Sequence, residues 1–461
     1  MTSLSGQAPT TVPIRSARRV VWASFVGTAL ESYDFYVFAY FAAFFVGPLF
    51  FEPLGAVGGT LTAFLTIALA FVIRPVGAIL FGHLGDRLGR RRTLLVTILT
   101  MGVATGLIGA LPSYDQAGWL GAGLLVVLRL AQGLSLGGEW GGAMTLATEF
   151  ATPNRRGLFA AFPQLGSPVG SILSAAVFLV MTLSLSGADM AAWGWRIPFL
   201  TAFPLLLVSL YLRWSIDETP AFRGLLERGA RARVPLADVL RRHPVGFVVA
   251  ILTALLGIGS YSLMNTYTVN YGVAQLGFSY QDLLVATTIG GLLQLVTIPL
   301  FGAWADRIGA ARVVAIGAAG TAIIAFPMYA LLQVATFPVL VGTMIVGGIL
   351  PTLSWAALGA AMTRLFDARS RFTALAVTYS LAAMLTSFVP TLTQLLGVAT
   401  DFAWWHPGVV LVVLAALTLG GAIAAARMRA ADGGDEEPGA VATGSTADDA
   451  GEPEAASPAH T

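Results

Sequence analysis

Gly82-His83-Leu84-Gly85-Asp86-Arg87-Leu88-Gly89-Arg90-Arg91-Arg92 has a second copy, Gly302-Ala303-Trp304-Ala305-Asp306-Arg307-Ile308-Gly309-Ala310-Ala311-Arg312. Both keep Gly, Asp and Arg at the same spacing, and each sits between two long apolar stretches. A basic turn of no particular meaning would account for one copy. Two in register mean that the chain consists of two related halves. Glycine allows helices to approach closely and turn tightly. Asp and Arg can form an ion pair or cap a neighbouring helix end. The expected role of Gly82, Gly85, Asp86, Arg87, Gly89, Arg90, Asp306 and Arg307 is therefore a conformational gate. Glu149, at the end of a neighbouring apolar segment, is the expected partner of Arg87 or Arg90.

Outward from these turns, the chain is apolar nearly throughout. Of 461 residues, 56% are hydrophobic and 11% charged, with a mean hydropathy of +0.78. A soluble domain carries about 25% charge, so most of this surface must face lipid. Twelve segments reach the roughly 20 apolar residues that a span needs: 20–48, 61–84, 93–112, 119–148, 157–184, 193–214, 245–272, 282–303, 311–332, 335–362, 372–397 and 406–427. The loops after odd-numbered segments contain no arginine, and every basic residue of the chain is arginine. Basic residues collect on the cytoplasmic side, which places both termini inside. The reading is an all-α integral membrane protein of twelve spans. Residues 1–19 form a cytoplasmic segment, 20–214 a first six-helix bundle and 215–244 a cytoplasmic linker. Residues 245–427 form a second bundle and 428–461 a disordered acidic tail. The first apolar run is too long for a cleavable signal peptide and reads as a span.

Some chemistry is excluded at once. With no cysteine there is no disulfide, thiol catalysis or Cys-ligated zinc. The four histidines, His83, His243, His406 and His460, are never paired at metal-ligand spacing. No nucleophile–base pair or phosphate loop stands out. The glycines of 137–142 lie within a helix, without the strand-to-helix setting of a nucleotide site.

The two turn motifs resemble the signature loop of the major facilitator superfamily. Further runs are similar to its metabolite:H+ symporter family: Leu30-Glu31-Ser32-Tyr33-Asp34-Phe35, Arg74-Pro75-Val76-Gly77, Arg129-Leu130-Ala131-Gln132-Gly133, Gly137-Gly138-Glu139-Trp140, Pro163-Gln164-Leu165-Gly166, Trp193-Gly194-Trp195-Arg196 and Glu218-Thr219-Pro220. That resemblance implies a major facilitator fold in the inner membrane of a bacterium. It implies carriage of a carboxylate or zwitterion such as shikimate, alpha-ketoglutarate, citrate, proline or betaine, with the proton as coupling ion and no cofactor. Thr28, Ser32, the missing arginine pair after Gly309 and Arg371-Phe372-Thr373-Ala374 depart from the family pattern. They leave the substrate branch open.

Six charges fall inside spans: Glu31, Asp34, Glu139, Arg74, Arg129 and Arg196. Each costs a few kcal/mol on insertion scales, so each calls for a partner or a function. At a rise of ~1.5 Å per residue, Asp34 and Arg74 both lie near mid-bilayer. Glu31 and Asp34, three apart, share a helix face. A carboxylate in an apolar cavity can load a proton near neutral pH. Asp34 is thus the leading proton carrier, with Arg74 as its expected cationic neighbour and Glu31 and Glu139 as coupling residues; Arg129 resembles the family's helix-4 arginine, and that resemblance implies a coupling role for it. A permanent structural ion pair is the alternative for each. The expected substrate contacts are Arg74, Arg196, Gln164, Tyr261, Asn265, Trp355 and Tyr379.

Together these residues suggest proton-coupled uptake of a small organic acid or zwitterion by a monomer that rocks about a central site. The partners are the metabolite, H+ and lipid, with no nucleic acid. An efflux antiporter on the same fold and a non-transporting membrane sensor are the other readings. Outward flux would mark the first, and a signalling domain the second.

Overall fold

The computed structural model describes residues 14–88, 90–137, 140–141, 144, 147–148, 151, 153–214, 236–366 and 371–431. Side chains are described for these residues except 14–24, 82–95, 153, 209, 212–214, 236–238, 372 and 429–431. All regular structure among them is helical. The longer helices up to residue 214 are α1 (Ile14–Phe41), α2 (Gly55–Val72), α3 (Arg74–Leu88), α4 (Arg90–Ile108), α5 (Trp119–Ser135), α6 (Arg156–Gln164), α7 (Gly166–Ser184) and α8 (Ala202–Trp214). Those after residue 236 are α9 (Pro244–Ser262), α10 (Tyr280–Ile308), α11 (Ala310–Leu332), α12 (Phe337–Thr363), α13 (Arg371–Ser387), α14 (Val389–Ala399) and α15 (His406–Ala431).

Nine helical stretches among the described residues are long and apolar enough to cross a membrane. Three shorter apolar helices, Val96–Ile108, Trp119–Ser135 and Gly194–Val208, stand where the sequence expects the third, fourth and sixth spans. Large apolar side chains such as Ile79, Leu207 and Ile323 point outward, as a surface in hydrocarbon requires. Two of the breaks within spans fall at proline. Pro75 opens α3 one residue after Arg74, and Pro390 opens α14. Proline lacks the N–H that a helix interior needs and restricts the residue before it.

Two helices change their winding part-way. α1 runs directly into a π turn, Ala42–Val46, and α9 into another, Leu263–Tyr267. The two turns lie at corresponding places in the repeat and pack against each other. π-bulges are rare and frequently lie at functional sites.

Packing between the early and late helices follows the repeat. α6 and α7 lie against α10, and α6 also against α12. In the mirrored arrangement, α13 lies against α2 and α3, and Tyr379 of α13 stacks on Trp140. Glycine sets the closest approaches. A Cβ on Gly133 of α5 would lie 2.0 Å from the carbonyl oxygen of Ala70 in α2, and one on Gly77 of α3 1.9 Å from that of Leu134. Small residues let helix backbones touch where no hydrophobic effect drives association.

Candidate functional site

Where the two groups of helices meet, a cavity of about 120 Å³ is lined by α1, α3, α9, α10, α12 and α13. Among the described residues that line it, the charged ones are Arg74 and Glu31. Arg74 is 4% exposed. Its Nη2 donates to Glu31 Oε1 at 3.1 Å, and its Nε donates to the Leu136 carbonyl at 3.2 Å. The Phe71 and Tyr379 rings lie 5.9 and 5.4 Å from the guanidinium carbon. Glu31 keeps its side chain 22% exposed, so the pair is open to the cavity on the carboxylate side.

Two ring stacks bound this space, each with one ring from before residue 215 and one from after it. Tyr36 and Tyr261 stack at 4.1 Å, Trp140 and Tyr379 at 3.9 Å with planes 7° apart. Trp140 and Tyr379 lie nearer the end of the bundle where α1 and α9 begin, and Tyr36 and Tyr261 lie further along. Gln164 holds the first stack. Its Oε1 accepts from Trp140 Nε1 at 3.2 Å, and its Nε2 donates to the Trp355 carbonyl at 3.2 Å. Gln164 is fully buried and positions the wall without lining the cavity. Tyr261 is held by Ser171 at 3.0 Å. Asn265 and Trp355 line the cavity as well. Trp355 Nε1 is buried without a hydrogen-bond partner, the one such side-chain nitrogen among the described residues.

The carboxylate on Arg74 is Glu31, where depth in the sequence had suggested Asp34. The physical reason is helical rotation. Asp34 lines a second pocket, on the flank of α1 turned to α4 and α8. Its neighbour there is the Thr105 hydroxyl. Thr105 Oγ1 accepts from Gln132 Nε2 at 2.6 Å, and Gln132 Oε1 accepts from Arg129 Nη1 at 2.7 Å. Arg129 is 3% exposed. It donates further to the carbonyls of Thr66 at 3.1 Å and Ile67 at 3.4 Å, and it sits 3.7 Å from the centre of the Phe38 ring. Glu31 borders both spaces. The i, i+3 spacing of Arg129 and Gln132 is the sequence signal for the bond between those two.

Arg196 stands apart from the cavity. It donates to the carbonyls of Gly109, at 3.2 Å, and Leu111 just beyond α4, and it lies over the Trp195 ring. That is the use of a cation at a helix C-terminus, in place of the substrate contact expected for it. Asp306 reaches the start of α6, where its two carboxylate oxygens accept the Gly157 and Leu158 N–H groups at 2.6 and 3.0 Å. Arg307 is exposed. Gly89, Glu139 and Glu149 lie outside the described residues, as do the side chains of Gly82, Gly85, Asp86, Arg87 and Arg90. Among the described residues, no three His, Asp or Glu side chains group so as to hold a metal ion.

Residues 20–239 match the family of sugar and other transporters. The chain is 36% identical over 419 residues to the inner membrane metabolite transport protein YhjE of Escherichia coli K12, covering 88% of this chain and 93% of that protein. It is 33% identical to the shikimate transporter of the same organism, over 86% of this chain and 91% of the other. Its fold matches that of a D-xylose–proton symporter with a TM-score of 0.68 at 20% identity, over 87% of this chain and 97% of that one.

Proposed function

The chain belongs to the major facilitator superfamily, among its bacterial metabolite transporters, and from that membership we propose that it carries a small organic acid or zwitterion into the cell together with protons. It works in the inner membrane as a twelve-span monomer of two six-helix bundles, with both termini cytoplasmic and no catalytic chemistry. Nine long and three short apolar helices support that count.

The observation that carries the reading is the Arg74–Glu31 pair on the wall of a cavity flanked by ring stacks. A cargo carboxylate is the natural competitor for the Arg74 guanidinium, whose planar fork suits two oxygens. As cargo takes Arg74, Glu31 loses its cation and is left to take a proton. One negative charge enters with one positive charge, so the cavity stays neutral in a medium that penalises net charge. Asp34, on the other flank of the same helix, holds the proton in reserve. Trp355 Nε1, Asn265 and Gln294 offer hydrogen bonds to the rest of the cargo. Rocking of the two bundles then exposes the cavity to one side at a time.

A thermal-shift screen of the purified protein against carboxylates, shikimate-like acids, proline and betaine identifies the cargo, and proteoliposome uptake with and without a pH gradient tests the coupling. Accumulation should collapse with a protonophore. Asp34→Asn should end gradient-driven accumulation and leave exchange. Accumulation that ignores the pH gradient, or full accumulation in Asp34→Asn, overturns the coupling scheme.

A further inference from the structure

We propose that protons reach Asp34 by a route of their own, through the pocket between α1, α4 and α8, and not through the cargo cavity. The inference rests on the transport reading for its purpose. Its geometry stands without it.

The pocket measures about 40 Å³ and is bounded by Gly27, Glu31 and Asp34 of α1, Met101 and Gly102 of α4, and Ala202 and Leu206 of α8. At roughly 10–15 Å³ for each water, it has room for about three. Apart from Glu31 and Asp34 its walls are apolar, and α4 and α8 bring no charged side chain to it. Water entering it has two carboxylates to bind and almost nothing else, which suits a short proton wire. Gly102 makes the space. A Cβ there would press on Leu206 at 2.7 Å.

Two further features separate this route from the cargo's. No described residue after 206 lines the pocket, so movement of the later described helices against the earlier ones leaves it intact. Asp34 does not border the cargo cavity. Glu31, which borders both spaces, is the point of contact. It faces Arg74 on one side and shares the flank pocket with Asp34 on the other. Cargo and proton then approach one carboxylate from opposite flanks of α1, and neither blocks the other.

The chain has no cysteine, so Asp34→Cys carries a single thiol. The test is its rate of modification by methanethiosulfonate ethylammonium in the purified full-length protein, and it needs no cargo. It can therefore fail while transport holds, or hold while transport fails. Access controls such a rate once the thiol is fixed. Leu206→Ala should speed modification about fivefold or more, and Ala202→Leu should slow it about as much. Asn265→Trp, which fills the cargo cavity, should change it less than about twofold. Opposite signs in the two pocket variants exclude unfolding, which would speed both. The proposal is overturned if Asn265→Trp slows the reaction, if neither pocket variant moves it, or if the thiol stays unmodified even with Leu206→Ala.

Discussion

Arg74 and Arg129 are both buried and both bonded, yet they have different duties. Arg129 spends its guanidinium on two backbone carbonyls, Gln132 and the Phe38 ring. Arg129→Ala strands those groups in an apolar interior, and should cost on the order of 3 kcal/mol in a denaturation series. Arg74 meets the cavity with one edge. Arg74→Lys keeps the charge and loses the fork, together with either the Leu136 bond or the Glu31 bond. Binding of the best-stabilising compound in the screen should weaken about tenfold or more, read as a rise in Kd, with little change in unfolding. The sequence identified which residues are charged within the span, because hydropathy makes them conspicuous. It could not assign partners. Glu31 and Asp34 are three residues apart and share a broad face, but the facing helices divide that face between two cavities. Only the rotation of α1 against α3, α4 and α8 settles which carboxylate meets Arg74.

Among the elements, the close contact of α2 and α5 leaves no room for a methyl group. Gly133→Ala puts a Cβ against the Ala70 carbonyl oxygen, so the helices must separate. The expected cost is about 1–3 kcal/mol, with a lower melting temperature as the readout. Nine span positions among the described residues were legible from apolar length. The breaks at Pro75 and Pro390 were not, because Pro299, Pro327 and Pro351 sit inside unbroken helices. The π turns were not, because Ala42–Val46 and Leu263–Tyr267 contain no residue that forbids ordinary winding. They follow from tertiary packing. Asn270 Nδ2 donates to the Ala43 carbonyl, inside the first π turn, at 2.9 Å. Asn270→Leu removes this clasp between α1 and the helix after α9. It should raise labelling of a cysteine placed at Ser260 by about threefold or more, since one buried hydrogen bond is worth about 1 kcal/mol.

For the molecule as a whole, the repeated turn motif was the most informative stretch. Its second copy, through Asp306, caps the start of α6 across the boundary between early and late helices. Asp306→Asn keeps the size and loses the charge that favours a helix N-terminus. It should shift the protein toward the state open at that end, seen as faster modification of a cysteine at Leu158. A neutral side chain that leaves the rate unchanged would make the contact incidental. The motif itself implies two related halves, because a duplicated sequence implies duplicated packing. The ring stacks beside the cavity were not readable in it, since Tyr36, Tyr261, Trp140 and Tyr379 come from four distant stretches and only their assembly brings the rings face to face.

Those rings make light doors. A stacked pair contributes about 1 kcal/mol beyond its buried area, which alters an equilibrium by roughly a factor of five. If the two bundles rock as proposed, the rings alone would not hold the unladen protein to one side. What such rings can do is make any visitor too small or too flat to span the chamber pass through without effect, while one that props both pairs at once governs which opens next.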